Sequence, residues 1–371
     1  VTERIESFAL NSEGRISIYQ HALRLPQVHG AAPHAEQGNP LPDEVRYRES
    51  MGSRGRRHDG PSEVQCLEEY LSGPLSERRL RQLADALVEV EVNRSGREWI
   101  VGFAGRSDPV LLRRAGRWLV RNAHDRVPVT VGLALLVETA VAGDAQLLRT
   151  IGLLEPFRSL AGVALERLPD GVGHLMWLAD HTYGWGRPVG RLIDHVEDLR
   201  VREWLLRRAD NGDELGGYVA ALLVEQARVD VAIADPQADP EVVDHTGRVL
   251  FSLARCLGMG PTLADLPVAR RMLADYLERV AALPQTVERL QDLSMLLIFL
   301  YNETGDDQCL AIPWEPGELE GMRAKYEGVL RRPGWRALAR RQLDGLAEDE
   351  LRFRGYWLKR WLTMPSGVPI G

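Results

Sequence analysis

Ser107-Asp108-Pro109-Val110-Leu111-Leu112-Arg113-Arg114-Ala115-Gly116-Arg117-Trp118-Leu119-Val120-Arg121-Asn122 is the stretch on which the reading of the whole chain turns. Aspartate before proline marks a helix start. The carboxylate accepts from the first free amide groups, and proline, with its fixed φ and no N–H to satisfy, suits the first turn. Behind this start, Leu111, Leu112, Ala115, Leu119 and Val120 recur at three- and four-residue spacing, one apolar face of an amphipathic helix. Arg113, Arg117 and Arg121 recur every four residues and form a charged stripe on the same helix. The following segment, Val127 to Val141, is almost wholly apolar, which predicts a helix buried on most sides.

The same grammar continues outward. Leu75 to Val92 places Leu80, Leu83, Ala84, Leu87 and Val88 on one face. From 144–154 to 347–362, a succession of helix-length segments is separated by Gly, Pro, Asp or Asn. Trp99 to Phe103 is the nearest candidate for a strand, with a helical turn as its alternative. Similar helix openings recur at Asp198-Leu199-Arg200-Val201, Asp239-Pro240 and Asp265-Leu266-Pro267-Val268. Asp108 and Asp144 are 36 residues apart, and Asp198 and Asp239 are 41 apart. These intervals resemble the helical-pair period of HEAT and armadillo repeats, about 40 residues. The resemblance covers residues 75–362 and implies an all-α chain, an α-solenoid of irregular HEAT-like helical hairpins, over residues 63–371. A compact helical bundle with coincidental caps is the rival architecture. His181-Thr182-Tyr183-Gly184-Trp185-Gly186-Arg187 also resembles a Thr-x-Gly-Trp-Gly-Arg turn found in a group of bacterial HEAT-like proteins. That likeness implies no activity.

Residues 1–62 read differently. Glu13 to Gln20, with Ile16, Ile18 and Tyr19, reads as a short strand or helix. Pro26, Pro33, Pro40, Pro42 and Pro61, with five glycines among them, predict a partly disordered arm or linker. The chain as a whole is 44% hydrophobic and 27% charged, the balance of a globular protein. The most apolar window, Leu293 to Tyr301, is too short to span a bilayer, and the N-terminus lacks the pattern of a secretory signal. Three widely spaced cysteines, Cys66, Cys256 and Cys309, form neither a disulfide framework nor a zinc spacing, so a reducing cytoplasm is the expected setting. A net charge of −7 argues against broad nonspecific nucleic-acid binding. The positive charge is nearly all arginine, with lysine only at 325 and 359, as a GC-rich coding genome would give.

Candidate sites follow from chemistry. Glycines on either side of Trp185 suit a left-handed helix end. Trp185 then serves either as packing in an interhelical seam or as an apolar platform for a ligand, with Arg187 as its anion clamp. Arg113, Arg117, Arg121, Arg207 and Arg208 would line one surface of a solenoid and recognise an acidic peptide or phosphate backbone, or simply form a solvated face paired with Asp and Glu. Arg270-Arg271, Arg331-Arg332 and Arg340-Arg341 repeat the theme. His174 and His181, seven apart, lack the spacing of a zinc helix. Asp210-Asn211-Gly212-Asp213-Glu214 lacks the alternating ligands of a calcium loop and reads as the end of one helix and the cap of the next. No nucleophile elbow, phosphate loop or dinucleotide fingerprint is present, so no catalytic residue, metal or cofactor is assigned. Trp118, Trp204, Trp357 and Trp361 read as core, and Trp314, between prolines, as the most exposed tryptophan. The function expected on these grounds is a noncatalytic scaffold or adaptor that presents a concave face to another protein or peptide. An immunity- or antitoxin-like role is one form of it. The alternative is a nucleic-acid-binding HEAT-like protein, including a base-excision type of enzyme, which needs a basic groove and an acidic residue beside aromatics.

Overall fold

The computed structural model describes residues 16–29, 40–52, 63–88, 90, 100, 102–104, 107–182, 187–210, 217–256, 260–302, 307–345, 359 and 362. The described residues are all-α and contain no strand. Residues 100 and 102–104, from the Trp99–Phe103 segment and its end, are helical, and Trp99 and Val101 lie outside the described residues. No helix among them is long and apolar enough to cross a membrane. The chain divides into two compact units, Val1–Pro188 and Val189–Gly371.

The first unit runs α1 (Ile18–His29), α2 (Glu44–Gly52), α3 (Glu63–Leu71), α4 (Glu77–Val88), α5 (Pro109–Asn122), α6 (Arg126–Thr139), α7 (Ala145–Gly152), α8 (Glu155–Glu166) and α9 (Gly171–Asp180). Asp108 caps α5 as its sequence demands, accepting from Val110 N at 2.9 Å. The short link 123–125 turns the chain back, so α5 and α6 form a hairpin. Gly116 and Gly132 face each other across it: a Cβ on Gly116 would lie 2.8 Å from the Gly132 carbonyl oxygen, so only glycine permits this approach. The nearly uniform apolarity of α6 now has a cause. Val129, Leu133 and Leu136 join one core with α1, α7 and α8, while Val131, Ala134 and Leu135 join another with α3, α4 and α5.

Two helices, α1 and α2, lie within residues 1–62, the segment that reads from sequence as an arm or linker with a short strand or helix at 13–20. Ile18, Ala22 and Leu25 of α1, spaced four and three apart, are buried in the unit's core. Ile18 N donates to Ala123 O at 3.0 Å. Asp43, just before α2, supplies a long-range cap to α6, accepting from Arg126 N at 2.7 Å. The Arg126 guanidinium lies over the Tyr47 ring at 3.9 Å and pairs with Asp43 and Glu44. Proline and glycine content hid a short apolar stripe and a capping carboxylate. Residues 1–15, 30–39 and 53–62 lie outside the described residues.

The second unit runs α10 (Val189–Ile193), α11 (Leu199–Arg208), α12 (Gly217–Leu222), a π turn (Leu223–Ala227), α13 (Val229–Ala234), α14 (Pro240–Ala254), α15 (Ala269–Ala281), α16 (Val287–Leu300), α17 (Gln308–Ala311), α18 (Glu318–Leu330) and α19 (Trp335–Gly345). Asp198 and Asp239 cap α11 and α14, accepting from Arg200 N and Val242 N at 2.9 and 3.0 Å. Asp265 does not open a helix. It closes a 3-10 turn by accepting from Thr262 N at 2.7 Å, and α15 starts four residues later, because Pro267 fits the connecting turn. The apolar window near Leu293 is α16, buried along nearly its whole length.

Arginines recur at helix C-termini, where the last carbonyls lack helical partners. Arg79 donates to Glu69 O and Tyr70 O at the end of α3, at 2.9 and 3.1 Å. Arg167 reaches Val137 O of α6 at 2.9 Å, Arg187 reaches Ala179 O of α9 at 3.1 Å, and Arg323 reaches Leu300 O of α16 at 2.7 Å.

Candidate functional site

The most unusual chemistry lies inside the second unit, where α14 and α16 pack closely. Helical spacing puts Asp244, Arg248 and Ser252 in one row on α14, with His245 beside it. Arg289 and Asp292 sit one turn apart on α16. Arg289, 7% exposed, makes a two-pronged pair with Asp244 at 2.6 and 3.0 Å and donates to Pro284 O. Arg248 turns the other way. Its Nε donates to Asp210 O at 2.7 Å and Nη2 to Arg207 O at 3.3 Å, capping α11. Asp210, 1% exposed, accepts from the Ser252 hydroxyl at 2.7 Å, and its own N–H donates to His245 Nε2 at 2.9 Å. The imidazole nitrogen facing Asp210 is therefore the unprotonated one.

Asp292 has no such partner. It is 7% exposed, and its carboxyl makes no hydrogen bond among the described residues. Gly247 leaves room for it: a Cβ there would meet Asp292 Oδ2 at 2.5 Å and the Tyr276 hydroxyl oxygen at 2.7 Å. That hydroxyl is fully buried and also lacks a hydrogen-bond partner among the described residues. Burial pushes the Asp292 carboxyl up to about 8. Arg248 opposes the shift, and the negative charges of Asp210, Asp244 and Glu288 add to it. Asp292 therefore keeps its proton at neutral pH. Burial also raises the Tyr276 phenol well above its ordinary range.

The residues singled out by sequence fall elsewhere. Trp185 lies outside the described residues, as do Trp357 and Trp361. Arg187 is 7% exposed and bonded to the α9 carbonyl end, where a clamp for an external anion would need an open guanidinium. Of the α5 stripe, Arg117 pairs with the fully buried Asp144 at 2.7 Å, Arg113 is half-buried and Arg121 is exposed. Arg207 pairs with Asp239 at 2.6 Å and with Glu203, and Arg208 is exposed. Arg270 pairs with Glu318 at 2.7 Å, and Arg271 with buried Asp230 at 2.8 Å. The two predicted arginine groups belong to different units.

His174 and His181 do not converge on a common point. His174 Nδ1 meets Arg149 Nη2 at 2.7 Å, so the neutral ring accepts from the guanidinium. Burial, then the Arg149 charge, lowers His174 below its ordinary range, against Asp170. His181 bonds Trp177 O at 2.7 Å and stacks on the Trp177 ring at 4.1 Å. Among the described residues no group of three His, Cys, Asp or Glu side chains is placed to hold a metal ion. Trp314 is half-buried, its indole N–H donating to Cys309 O at 2.8 Å.

Sequence reasoning missed the Asp292 centre. An acid set against the apolar run 293–300 of its helix was its available signal, and Asp244, Arg248 and Ser252 at four-residue spacing on the next helix but one could have strengthened it. Comparison with protein-family models, with curated proteins and with solved structures gives no match to this chain.

Proposed function

We propose that the chain is a HEAT-like helical scaffold that docks another protein or peptide and performs no chemistry of its own, with an immunity- or antitoxin-like role as one form. The observation that carries this reading is an apolar pair on a solvent-facing turn. Tyr218 and Leu222 stand one turn apart on α12, 65% and 38% exposed. An aromatic and an aliphatic side chain at this spacing are the anchors by which one helix face engages a partner. The arginines weigh against the nucleic-acid alternative. Arg117, Arg207, Arg270 and Arg271 are engaged by carboxylates of the chain itself, so they contribute little free positive charge to a phosphate backbone.

The test is affinity capture from native extract with the full chain and with Tyr218→Ser/Leu222→Ser. A stoichiometric protein held by the wild type and lost from the double variant supports the reading. Equal capture by both, or copurifying nucleic acid in place of protein, overturns it.

A further inference from the structure

Arg248 stands between two alternative partners. On one side are Arg207 O in the last turn of α11 and Asp210 O just beyond its end, to which it donates. On the other is Asp292, whose strongest favourable charge is Arg248 itself. Gly247, the neighbour of Arg248 on α14, is where Asp292 Oδ2 approaches the helix. While Asp292 holds its proton it offers the guanidinium only a neutral acid, and the α11 carbonyls at the negative end of that helix are the better partners. Once ionised and without a hydrogen bond, the buried carboxylate becomes the stronger acceptor. We propose that the second unit carries a proton-operated latch, in which Arg248 caps the C-terminus of α11 when Asp292 is protonated and is drawn to Asp292 when that proton leaves. This device is independent of the docking reading.

The surrounding groups leave Arg248 as the cation able to respond. From α14, Asp244 is engaged by Arg289 of α16, and His245 accepts from the Asp210 amide. From α11 and the residues after it, Arg207 pairs with Asp239 and Glu203, and Asp210 accepts from Ser252. On α16 itself, Glu288 adds negative charge. α15 contributes the Tyr276 phenol, and α18 the buried Tyr326, whose hydroxyl donates to Leu273 O at 3.0 Å. α19 turns Trp335 and Ala339 inward.

The sign follows from linkage. Burial raises Asp292 from 3.8 to about 8 in the capped form, so that form binds the proton more tightly than one in which Arg248 meets the carboxylate. The capped form is fully favoured below about pH 4. Opening then grows by up to about ten-fold per pH unit as pH rises, and levels off above about 8. Loss of the cap frees the last turn of α11.

The experiment is hydrogen exchange by mass spectrometry on the full chain from pH 5 to 9, corrected for intrinsic exchange. The peptide covering 199–210 is compared with one covering 126–139 as a control. The expected result is a pH-dependent loss of protection in 199–210 that levels near pH 8 and is absent from the control. Asp292→Asn, a permanently neutral mimic, should hold 199–210 protected at every pH. Arg248→Met should leave it weakly protected at every pH, with no slope. A flat wild-type profile, or the same slope in Asp292→Asn, overturns the latch. Should Asp292→Asn fail to fold, the wild-type profile and Arg248→Met decide alone.

Discussion

One substitution, glycine to alanine, should act with opposite signs at two helical positions. In a helix interior alanine is favoured over glycine by about 1 kcal/mol, because the unfolded chain loses freedom and the helix gains propensity. At Gly321 of α18 nothing lies within 4 Å of the added Cβ, so that gain stands unopposed and Gly321→Ala should stabilise by about 0.5–1 kcal/mol. At Gly116 the Cβ would lie 2.8 Å from Gly132 O and 3.1 and 3.3 Å from the Cγ and Cδ2 of Leu136. The carbonyl belongs to the backbone of α6, and Leu136 is fully buried, so neither can yield without moving α5 off α6. Overpacking of this kind costs about 1–3 kcal/mol and outweighs the propensity gain. Gly116→Ala should therefore destabilise by about 1 kcal/mol, and Gly116→Val, with a second clash and a stiffer side chain, by more. Urea titration by far-UV circular dichroism gives the sign. Hydrogen exchange of the 109–122 and 318–330 peptides places each effect in its own helix. Equal stabilisation by Gly116→Ala and Gly321→Ala would refute the close approach of α5 and α6.

Two further outcomes test the chemistry of single side chains. Arg323 donates through Nε to Leu300 O at 2.7 Å, with its guanidinium 5.0 Å from the Tyr301 ring centre. Lysine keeps the charge and loses both the fixed donor and the stacking plane, so Arg323→Lys should cost about 1 kcal/mol in urea unfolding, while Arg121→Lys on the exposed stripe should cost almost nothing. Equal effects would show that charge alone matters at α16. Burial pushes the Cys309 thiol up to about 11 and also raises Cys66, and all three cysteines are buried. A thiol reagent at pH 8 should therefore label the folded chain slowly and every cysteine at once in denaturant. Rapid labelling of Cys309 in the native protein would contradict its position behind α16.

What could be read from the chain is what local rules decide. The helix starts at Asp108, Asp198 and Asp239 were legible because a capping carboxylate and its amides lie two or three residues apart. The start assigned to Asp265 failed because the same residue type closes a 3-10 turn equally well. α1 showed only as a short strand or helix at Glu13 to Gln20, because its burial depends on α5 and α7, distant in sequence, and Pro26 with the prolines after it outweighed the spacing of Ile18, Ala22 and Leu25. Asp43 as a cap for α6 acts across 83 residues, beyond any window that reads neighbours. Asp292 is the extreme case. Its carboxyl owes its chemistry to α14, α15 and the end of α11, and nothing on its own helix except Glu288 announces it.

The arginines show why residue counts misled where positions did not. From sequence they suggested a coding bias, a ligand-binding face or a solvated face paired with Asp and Glu, and none of these readings places a guanidinium on a helix end. The described residues, however, hold many helical carbonyl ends and no sheet edges among them to satisfy those ends. A long side chain with five donors in a planar fork reaches such ends across a hairpin and is attracted by the negative pole it finds there. Arg79, Arg167, Arg187, Arg248 and Arg323 do this at the ends of α3, α6, α9, α11 and α16. The role explains why Arg187, chosen from sequence as an anion clamp, is buried: its acceptor is the helix before it. It also explains how one of these caps can become a control point. Arg248 differs from Arg79 or Arg167 in having an unsatisfied acid as a second partner, and a cap with a rival acceptor is held only as long as that rival stays neutral.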